Sequence, residues 1–249
     1  MRKKYVIGNW KTNPKTKDEA LALARAITKI AIKRRGITFG AAVPSVFLPS
    51  VSAILSKKAL AGVQDISDEK AGPHTGEFSA AQARSAGAFF SIIGHSERRA
   101  KGENEEVISK KLILAVSSGL MAVLCVGEKK RDHEGKFLSE LKHSVLESLR
   151  GFPKKKLRAL IIAYEPVWAV GEKAKSSATP HEAFEAITAI RRTLADCFGK
   201  NASAVPILYG GSVDEKNAAS FISEGGANGL LVGRQSLDPG AMARLSVSL

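Results

Sequence analysis

The chain has 249 residues and a hydrophobic fraction of 44%, which is enough to build one sizeable core. Its 38 lysine and arginine residues outnumber its 24 acidic residues, so the formal net charge is +14. The two cysteines, Cys125 and Cys197, are too few for a disulfide framework or a cysteine metal site. No apolar run is long enough for a membrane span or for the core of a signal peptide. We therefore expect a cytoplasmic protein without membrane partners.

Short apolar runs with β character recur eight times along the chain. These predicted strands show little polar alternation, as is typical of strands that are covered on both faces. The eight runs are Tyr5–Trp10, Phe39–Val43, Leu60–Val63, Phe89–Gly94, Met121–Val126, Leu160–Glu165, Pro206–Tyr209 and Gly229–Val232.

Stretches with helical periodicity lie between these strands. Their apolar residues recur at helical spacing: Leu21, Ala24, Ile27 and Ala31, then Val107, Ile108, Leu112 and Ala115, then Phe184, Ile187, Ile190 and Leu194. Alternation of strand and helix predicts parallel strands joined by right-handed crossovers, in a closed barrel or an open sheet. Eight units in about 250 residues match a closed (β/α)8 barrel. We therefore predict a single α/β domain over residues 1–249.

The sixth predicted strand ends in a carboxylate that is followed by a loop. Pro166 cannot continue a central strand, so the chain leaves the sheet at Glu165. Val167 and Trp168 predict an anchored hinge, and the small and charged residues after them predict a mobile, lid-like tip. Thr179, Pro180 and Glu182 then form the signature of a capping box, which predicts the start of the next helix.

Other predicted strands also end in polar residues or glycine, and a barrel gathers its strand ends at one rim. Phosphate binding is favoured after the last two strands, because glycine lets a backbone N–H approach a ligand and Ser212 lies before a predicted helix start near Asp214. These strand ends carry Asn9 and Lys11, Gln64 and Asp65, His95 and Glu97, Glu128, Gly210–Ser212, and Gly233.

His95 and Glu165 are the candidates for proton chemistry. Ser96 and Glu97 predict a helical turn directly after His95, whose partial positive charge favours a neutral imidazole that donates a hydrogen bond. A buried carboxylate at Glu165 is costly without a partner, so we expect it to be exposed at the rim or functional. Either residue alone could have a purely structural role. Because both lie at the same predicted rim as the other polar strand ends, we favour a functional role for them.

The basic runs are far apart in sequence and mostly near predicted element ends. No aromatic residues interleave with them, as a nucleic-acid stacking platform requires. We therefore interpret them as a solvated surface and do not expect a nucleic-acid partner. The runs are Arg2–Lys4, Lys33–Arg35, Lys129–Arg131 and Lys154–Lys156.

Five motifs show that the chain resembles the triosephosphate isomerase family over essentially its whole length. Their order and spacing are highly specific. They are GNWKTN at Gly8–Asn13, TGE at Thr75–Glu77, IGHSERR at Ile93–Arg99, AYEPVWA at Ala163–Ala169 and YGGSV at Tyr209–Val213. The resemblance implies a homodimeric TIM barrel without cofactor or metal that interconverts dihydroxyacetone phosphate and D-glyceraldehyde 3-phosphate in glycolysis and gluconeogenesis.

The resemblance also implies roles for individual residues. Glu165 would be the base and His95 the hydrogen-bond donor to the carbonyl oxygens, while Lys11 supplies positive charge. The glutamate base and the neutral histidine of this family are an established example of pKa tuning. The remaining implied residues are Glu97 beside the lysine and histidine, Asn9 in the substrate site, and Gly171, Ser212 and Gly233 at the phosphate.

Dimerisation is implied through the Gln64–Phe78 loop, whose Thr75 would insert beside the partner's active site. The chain also departs from the family pattern. Glu172 and Lys173 alter the lid, and Arg234 replaces a second glycine after Gly233. Further departures are Asp65 in place of asparagine, and Pro73 and His74 before Thr75.

Two alternatives stay open at this stage. Because the lid sequence is altered, the chain could instead be a related phosphosugar isomerase with a different substrate preference. The net charge of +14 admits a polyanion-binding role, alone or beside catalysis.

Overall fold

A computed structural model describes residues 4–55, 58–132, 134–169, 177–247 and 249. Eight parallel strands form a closed barrel in chain order, and helices connect them on the outside. The strands are β1 (Lys4–Asn9), β2 (Ile37–Val43), β3 (Leu60–Val63), β4 (Phe90–Ile93), β5 (Met121–Val126), β6 (Leu160–Tyr164), β7 (Ile207–Tyr209) and β8 (Gly229–Val232).

The α-helices in the described residues alternate with these strands. They are α1 (Lys17–Lys33), α2 (Leu48–Leu55), α3 (Ala80–Ser85), α4 (Ser96–Arg99), α5 (Glu105–Ser117), α6 (Lys136–Ser148), α7 (Pro180–Phe198), α8 (Ala218–Ser223) and α9 (Pro239–Val247). None of them is long and apolar enough to cross a membrane. The predicted (β/α)8 barrel is confirmed, and each predicted strand lies within two residues of the observed one. The extent of the domain, residues 1–249, stays a prediction.

The strands are buried on both faces, as their apolar runs predicted. One face packs against the helices, and the other fills the barrel interior around Phe90 and Ile92. Phe90 needs a glycine opposite it, because a Cβ on Gly62 would lie 2.4 Å from its ring. Between β1 and β8, which close the barrel, Tyr5 pairs with Gly229.

Helix α7 confirms the predicted helix and its cap. The Thr179 side chain accepts the N–H of Glu182, and the Glu182 carboxylate accepts the N–H of Thr179. Ala183 and Ile187 face the core, but Phe184 is 50% exposed. Its neighbour Ala183 takes the inward position, and the Phe184 ring lies beside Gly226.

Charge is divided unequally between the two ends of the barrel. The described segments from a strand to the next helix, including α4, contain eleven basic and thirteen acidic residues. The described segments from a helix to the next strand contain nine basic residues and one acidic residue, Glu224, so the net excess of positive charge lies at the N-terminal end of the strands. The nine are Arg34, Arg35, Lys58, Arg150, Lys154, Lys155, Lys156, Arg158 and Lys200.

Replacing Gly229 by alanine is expected to lower the free energy of unfolding by about 1 to 3 kcal/mol, the range for overpacking. The new Cβ would lie 2.1 Å from the Tyr5 carbonyl oxygen, where the backbone closes the barrel. Urea unfolding followed by circular dichroism, at fixed protein concentration, measures the change.

Gly240→Ala in α9 is the matched control. Its Cβ would meet only side-chain atoms of Arg244 and Asp238, each at 3.2 Å, so we expect stability within about 1 kcal/mol of wild type. Equal losses in the two variants would contradict the importance of the Tyr5 contact.

Candidate active site

The backbone at Lys11 adopts a left-handed conformation, with φ of +53°. Such a conformation costs a non-glycine residue on the order of 1 to 3 kcal/mol, so it needs support from its surroundings. The Asn9 side chain accepts the Lys11 N–H at 3.1 Å, and the Gln64 amide donates to the Lys11 carbonyl at 2.7 Å. These bonds fix the backbone from which the Lys11 side chain extends, and its ammonium group contacts the Glu97 carboxylate.

His95 caps the short helix α4, as the sequence predicted. Its Nδ1 accepts the backbone N–H of Glu97 at 3.2 Å. A nitrogen that accepts a hydrogen bond cannot carry a proton, so His95 is the neutral tautomer with its proton on Nε2. Nε2 lies 3.4 Å from Oε1 of Glu165, and the imidazole is buried. The position of His95 at the start of α4 agrees with the sequence analysis, and its role as a hydrogen-bond donor to substrate stays a prediction.

Glu165 leaves the sheet directly after β6, and its N–H donates to the Val126 carbonyl at 2.8 Å. The residue is only 3% exposed, which differs from the exposed rim position that we considered from sequence. Two glycines make the space: a Cβ on Gly210 would lie 2.7 Å from Glu165 Cγ, and one on Gly127 would lie 1.8 Å from its carbonyl oxygen. Among the described residues, Glu165 Oε2 has no hydrogen-bond partner.

The Glu97 carboxylate balances the charge of Lys11. Burial raises the pKa of Glu97, but the hydrogen bond and positive charge of Lys11 bring that pKa below its ordinary value of 4.5. Glu97 is therefore ionised at neutral pH. A cation, its carboxylate partner and a neutral imidazole thus lie next to one another at the rim.

The predicted phosphate-binding positions lie at the ends of β7 and β8. Ser212 is exposed and Gly233 is partly exposed, and a Cβ on Gly233 would meet nothing within 4 Å. The helix that we predicted to start near Asp214 starts only at Ala218, so Ser212 does not lie directly before it. The reason is local: the Asp214 carboxylate accepts the N–H groups of Lys216 and Asn217 and forms a turn before the helix.

The predicted lid tip lies outside the described residues, so the structure says nothing of Gly171, Glu172 or Lys173. Arg234 is described; it is exposed and begins a 3₁₀ turn that ends at Leu237. The alternative of a different phosphosugar depends on the undescribed residues, and it stays a prediction.

A buried hydrogen-bond system below the lid was not recognised from the sequence. Glu128 Oε1 accepts the hydroxyl of Tyr164 and the indole N–H of Trp168, each at 2.9 Å. Burial, followed by the negative charge of Glu128, raises the pKa of Tyr164, so its hydroxyl keeps its proton. The bond anchors Trp168 at the base of the lid, where the sequence predicted a hinge. Only the strand-end position of Glu128 was visible in the sequence.

The residues around Lys11 line an open cavity of about 340 Å³. Asn9, Lys11 and His95 form part of its wall, and Pro44 and Val46 from the loop after β2 form another part. In the part of the chain that the structure describes, no group of three or more histidine, cysteine or acidic residues is placed to hold a metal ion. The chemistry available here is proton transfer and hydrogen bonding beside a fixed positive charge.

Comparison with known proteins agrees with this geometry. The family model described as triosephosphate isomerase matches residues 4–248. The chain belongs to the triosephosphate isomerase family. The predictions of this family and of an isomerase are thereby confirmed.

Individual relatives match over nearly their whole length. The triosephosphate isomerase of Porphyromonas gingivalis is 39% identical over 95% of both chains, and that of Moorella thermoacetica is 36% identical over 98% of both. The crystal structure of triosephosphate isomerase from Bartonella henselae superimposes with a TM-score of 0.88 at 32% identity, covering 99% of this chain and 98% of that one.

Glu97→Gln is expected to alter stability in a pH-dependent way. Because the pKa of Glu97 is lowered in the folded state, its contribution is fully present above pH 4.5 and is lost as the pH falls through the lowered pKa. The difference in urea midpoint between wild type and variant should therefore be larger at about pH 6 than at about pH 3.

Glu224→Gln makes the same chemical change at an exposed position outside this site. The change in urea midpoint caused by Glu224→Gln is subtracted from the change caused by Glu97→Gln at each pH. If the remainder is the same at both pH values, the contact of Glu97 with Lys11 does not stabilise the folded chain.

Proposed function

We propose that the chain interconverts dihydroxyacetone phosphate and D-glyceraldehyde 3-phosphate by proton transfer through an enediolate, as a step of glycolysis and gluconeogenesis. The observation that carries the proposal is the pairing of His95 and Glu165. The imidazole directs a protonated Nε2 toward the carboxylate, within 3.4 Å, beside the positive charge of Lys11. No cofactor takes part in this chemistry.

Glu165 is the base. It takes a proton from the carbon next to the carbonyl and returns it to the neighbouring carbon, which exchanges ketose for aldose. Oε2 has no hydrogen-bond partner among the described residues, so the carboxylate has a free oxygen to accept the proton. Gly127 and Gly210 leave the space in which that carboxylate lies.

His95 and Lys11 stabilise the charge that develops on the substrate oxygens. The Nε2–H of His95 donates to the oxygens of the enediolate, and Lys11 adds a positive charge close by. Asn9 holds the Lys11 backbone in place, and Glu97 contacts the Lys11 ammonium while its N–H fixes the tautomer of His95. Each of these groups lies in place before substrate arrives, so little reorganisation is needed during the reaction.

The substrate phosphate binds at the ends of β7 and β8 through the backbone N–H groups of Ser212 and Gly233, with Gly171 of the lid as a third donor. The open space beside Gly233 allows the close approach that this role needs. Trp168, held by Glu128, anchors the segment that closes over the phosphate. A cytoplasmic location belongs to the same proposal, because free thiols such as Cys125 persist in a reducing compartment.

The chain functions as a homodimer through the loop after β3. Residues 69–77 of this loop are all exposed in the single chain, and Val46 on the neighbouring cavity wall is 78% exposed. Gln64 at the start of the loop also donates to the Lys11 carbonyl. Burial of the loop in a partner would therefore also steady the backbone of Lys11.

Glu165→Gln is expected to lower kcat by about 10³-fold or more, the scale of a lost general base. The amide keeps the shape of the side chain but cannot take the proton. A coupled dehydrogenase assay measures the rate of conversion of D-glyceraldehyde 3-phosphate. Glu224→Gln, far from the rim, should retain the wild-type rate, and a Glu165→Gln variant within tenfold of wild type would refute the assignment.

Thr75→Arg is expected to convert a wild-type dimer to a monomer and to lower kcat/KM by about tenfold or more, because loss of the loop contact loosens the site. Analytical ultracentrifugation over a range of concentrations measures the first effect and the coupled assay the second. Thr75→Ser, which keeps the hydroxyl and the size, should remain dimeric. A wild-type chain that is monomeric and fully active would overturn the dimer proposal.

A further inference from the structure

Two 3₁₀ turns pack together at the N-terminal end of the barrel strands. One turn, Lys154–Ala159, leads into β6, and the other, Gly199–Ala204, leads toward β7. The rings of Phe152 and Phe198 meet edge to face beside them, with centroids 6.4 Å apart. Leu157 is buried on the first turn and Ala202 on the second. These anchors fix both turns to the barrel and to each other.

The exposed side chains of these turns are strongly basic. Lys142 of α6 belongs to the same surface, because α6 packs against α7, which carries Cys197. Burial and the charge of Asp196 raise the pKa of the Cys197 thiol, and the charges of Lys142 and Lys154 act to lower it, which agrees with this placement. We call this surface the basal patch. It consists of Lys142, Lys154, Lys155, Lys156, Arg158 and Lys200, all of them exposed.

The positive charges of the basal patch are not balanced within the chain. Among residues that the structure describes, no member of the patch forms a salt bridge. Of the nearby acidic residues, Glu147 is engaged by Arg150, and Asp196 is a single carboxylate against six cations. Six exposed cations with one nearby free carboxylate give this surface a positive potential that attracts anions.

Substrate steering does not account for this charge. The patch lies before Leu160, at the opposite end of β6 from Glu165, and five residues of strand span about 16 Å. The segments around the catalytic rim contain more acidic than basic residues in the described chain. The excess of positive charge therefore lies away from the mouth of the site.

The sequence argument against a nucleic-acid partner relied on the separation of the basic residues along the chain. The barrel adds charge to one of those runs, because turns that precede neighbouring parallel strands meet at one end of the sheet. Lys154 and Lys200 belong to different βα units, yet the turns that carry them are in contact. The patch therefore joins the Lys154–Lys156 run and Arg158 to cations that are more distant in sequence.

We propose that the basal patch binds the phosphate backbone of double-stranded nucleic acid, without preference for base sequence. Fixed lysine and arginine side chains with no internal partner suit phosphate contacts. The two turns expose no aromatic ring on which unpaired bases could stack. Leu146, one turn after Lys142 on α6, is 37% exposed, but the two turns themselves expose no large apolar side chain for insertion into a membrane, so a duplex is favoured over an anionic lipid surface. The activity is independent of the isomerase site.

The test is fluorescence anisotropy of a labelled DNA duplex of mixed sequence, titrated with the full chain in about 50 mM and about 200 mM salt. If about four phosphates are neutralised, affinity should fall by about 100-fold between the two salt concentrations. The triple variant Lys154→Glu, Lys156→Glu, Lys200→Glu should bind at least tenfold more weakly than wild type at the lower salt concentration. Its isomerase kcat/KM should remain at the wild-type value, which also shows that it folds.

Two matched variants separate the patch from net charge alone. Lys17→Glu, Arg25→Glu, Lys29→Glu on α1 changes the net charge equally at exposed positions elsewhere, and should weaken binding less than threefold. Lys154→Arg, Lys156→Arg, Lys200→Arg keeps the charge and should keep the affinity. Equal losses in the two glutamate variants, or no binding by wild type at low salt, would overturn the proposal. Tighter binding to phosphatidylserine vesicles than to the duplex would assign the patch to membranes instead.

Discussion

The closure of eight parallel strands is the constraint on which the rest of the structure depends. Closure joins β1 to β8 and leaves every strand pointing the same way, so all strand ends meet at one rim. Asn9, His95 and Glu165 come from three strands that are distant in sequence, and the barrel alone places them together. The same closure gathers the turns that precede the strands at the other end. One topological fact thus creates both the catalytic rim and the basal patch.

Within the rim, hydrogen bonds of backbone groups hold several of the polar side chains and the Lys11 backbone in position. The N–H of Glu97 determines which nitrogen of His95 carries the proton, and the carbonyl of Lys11 is held by Gln64. Glycines 127 and 210 act by lacking a side chain, because any Cβ there would displace Glu165. The reactive groups are therefore positioned by bonds and spaces that do not themselves take part in the chemistry.

Much of the architecture could be predicted from the sequence, because strands covered on both faces are continuous apolar runs and helix α7 carries an explicit cap. The neutral tautomer of His95 was also predictable, since it depends on the next two residues. Contacts between distant segments were not predictable. The bond of Glu128 to Trp168, the left-handed backbone of Lys11 and the contact between the turns that carry Lys154 and Lys200 all require the fold. Helical spacing predicted α7, but it did not show that Ala183 is buried while Phe184 is half exposed.

The two kinds of glycine at the rim differ in what they would tolerate. A side chain at Gly210 would collide with the base, whereas one at Gly233 would extend into open space. Arg234, directly after Gly233, shows that this chain already carries a large side chain at that end. Packing inside the chain therefore excludes a side chain at Gly210, whereas at Gly233 only a molecule that enters the open space could set such a limit.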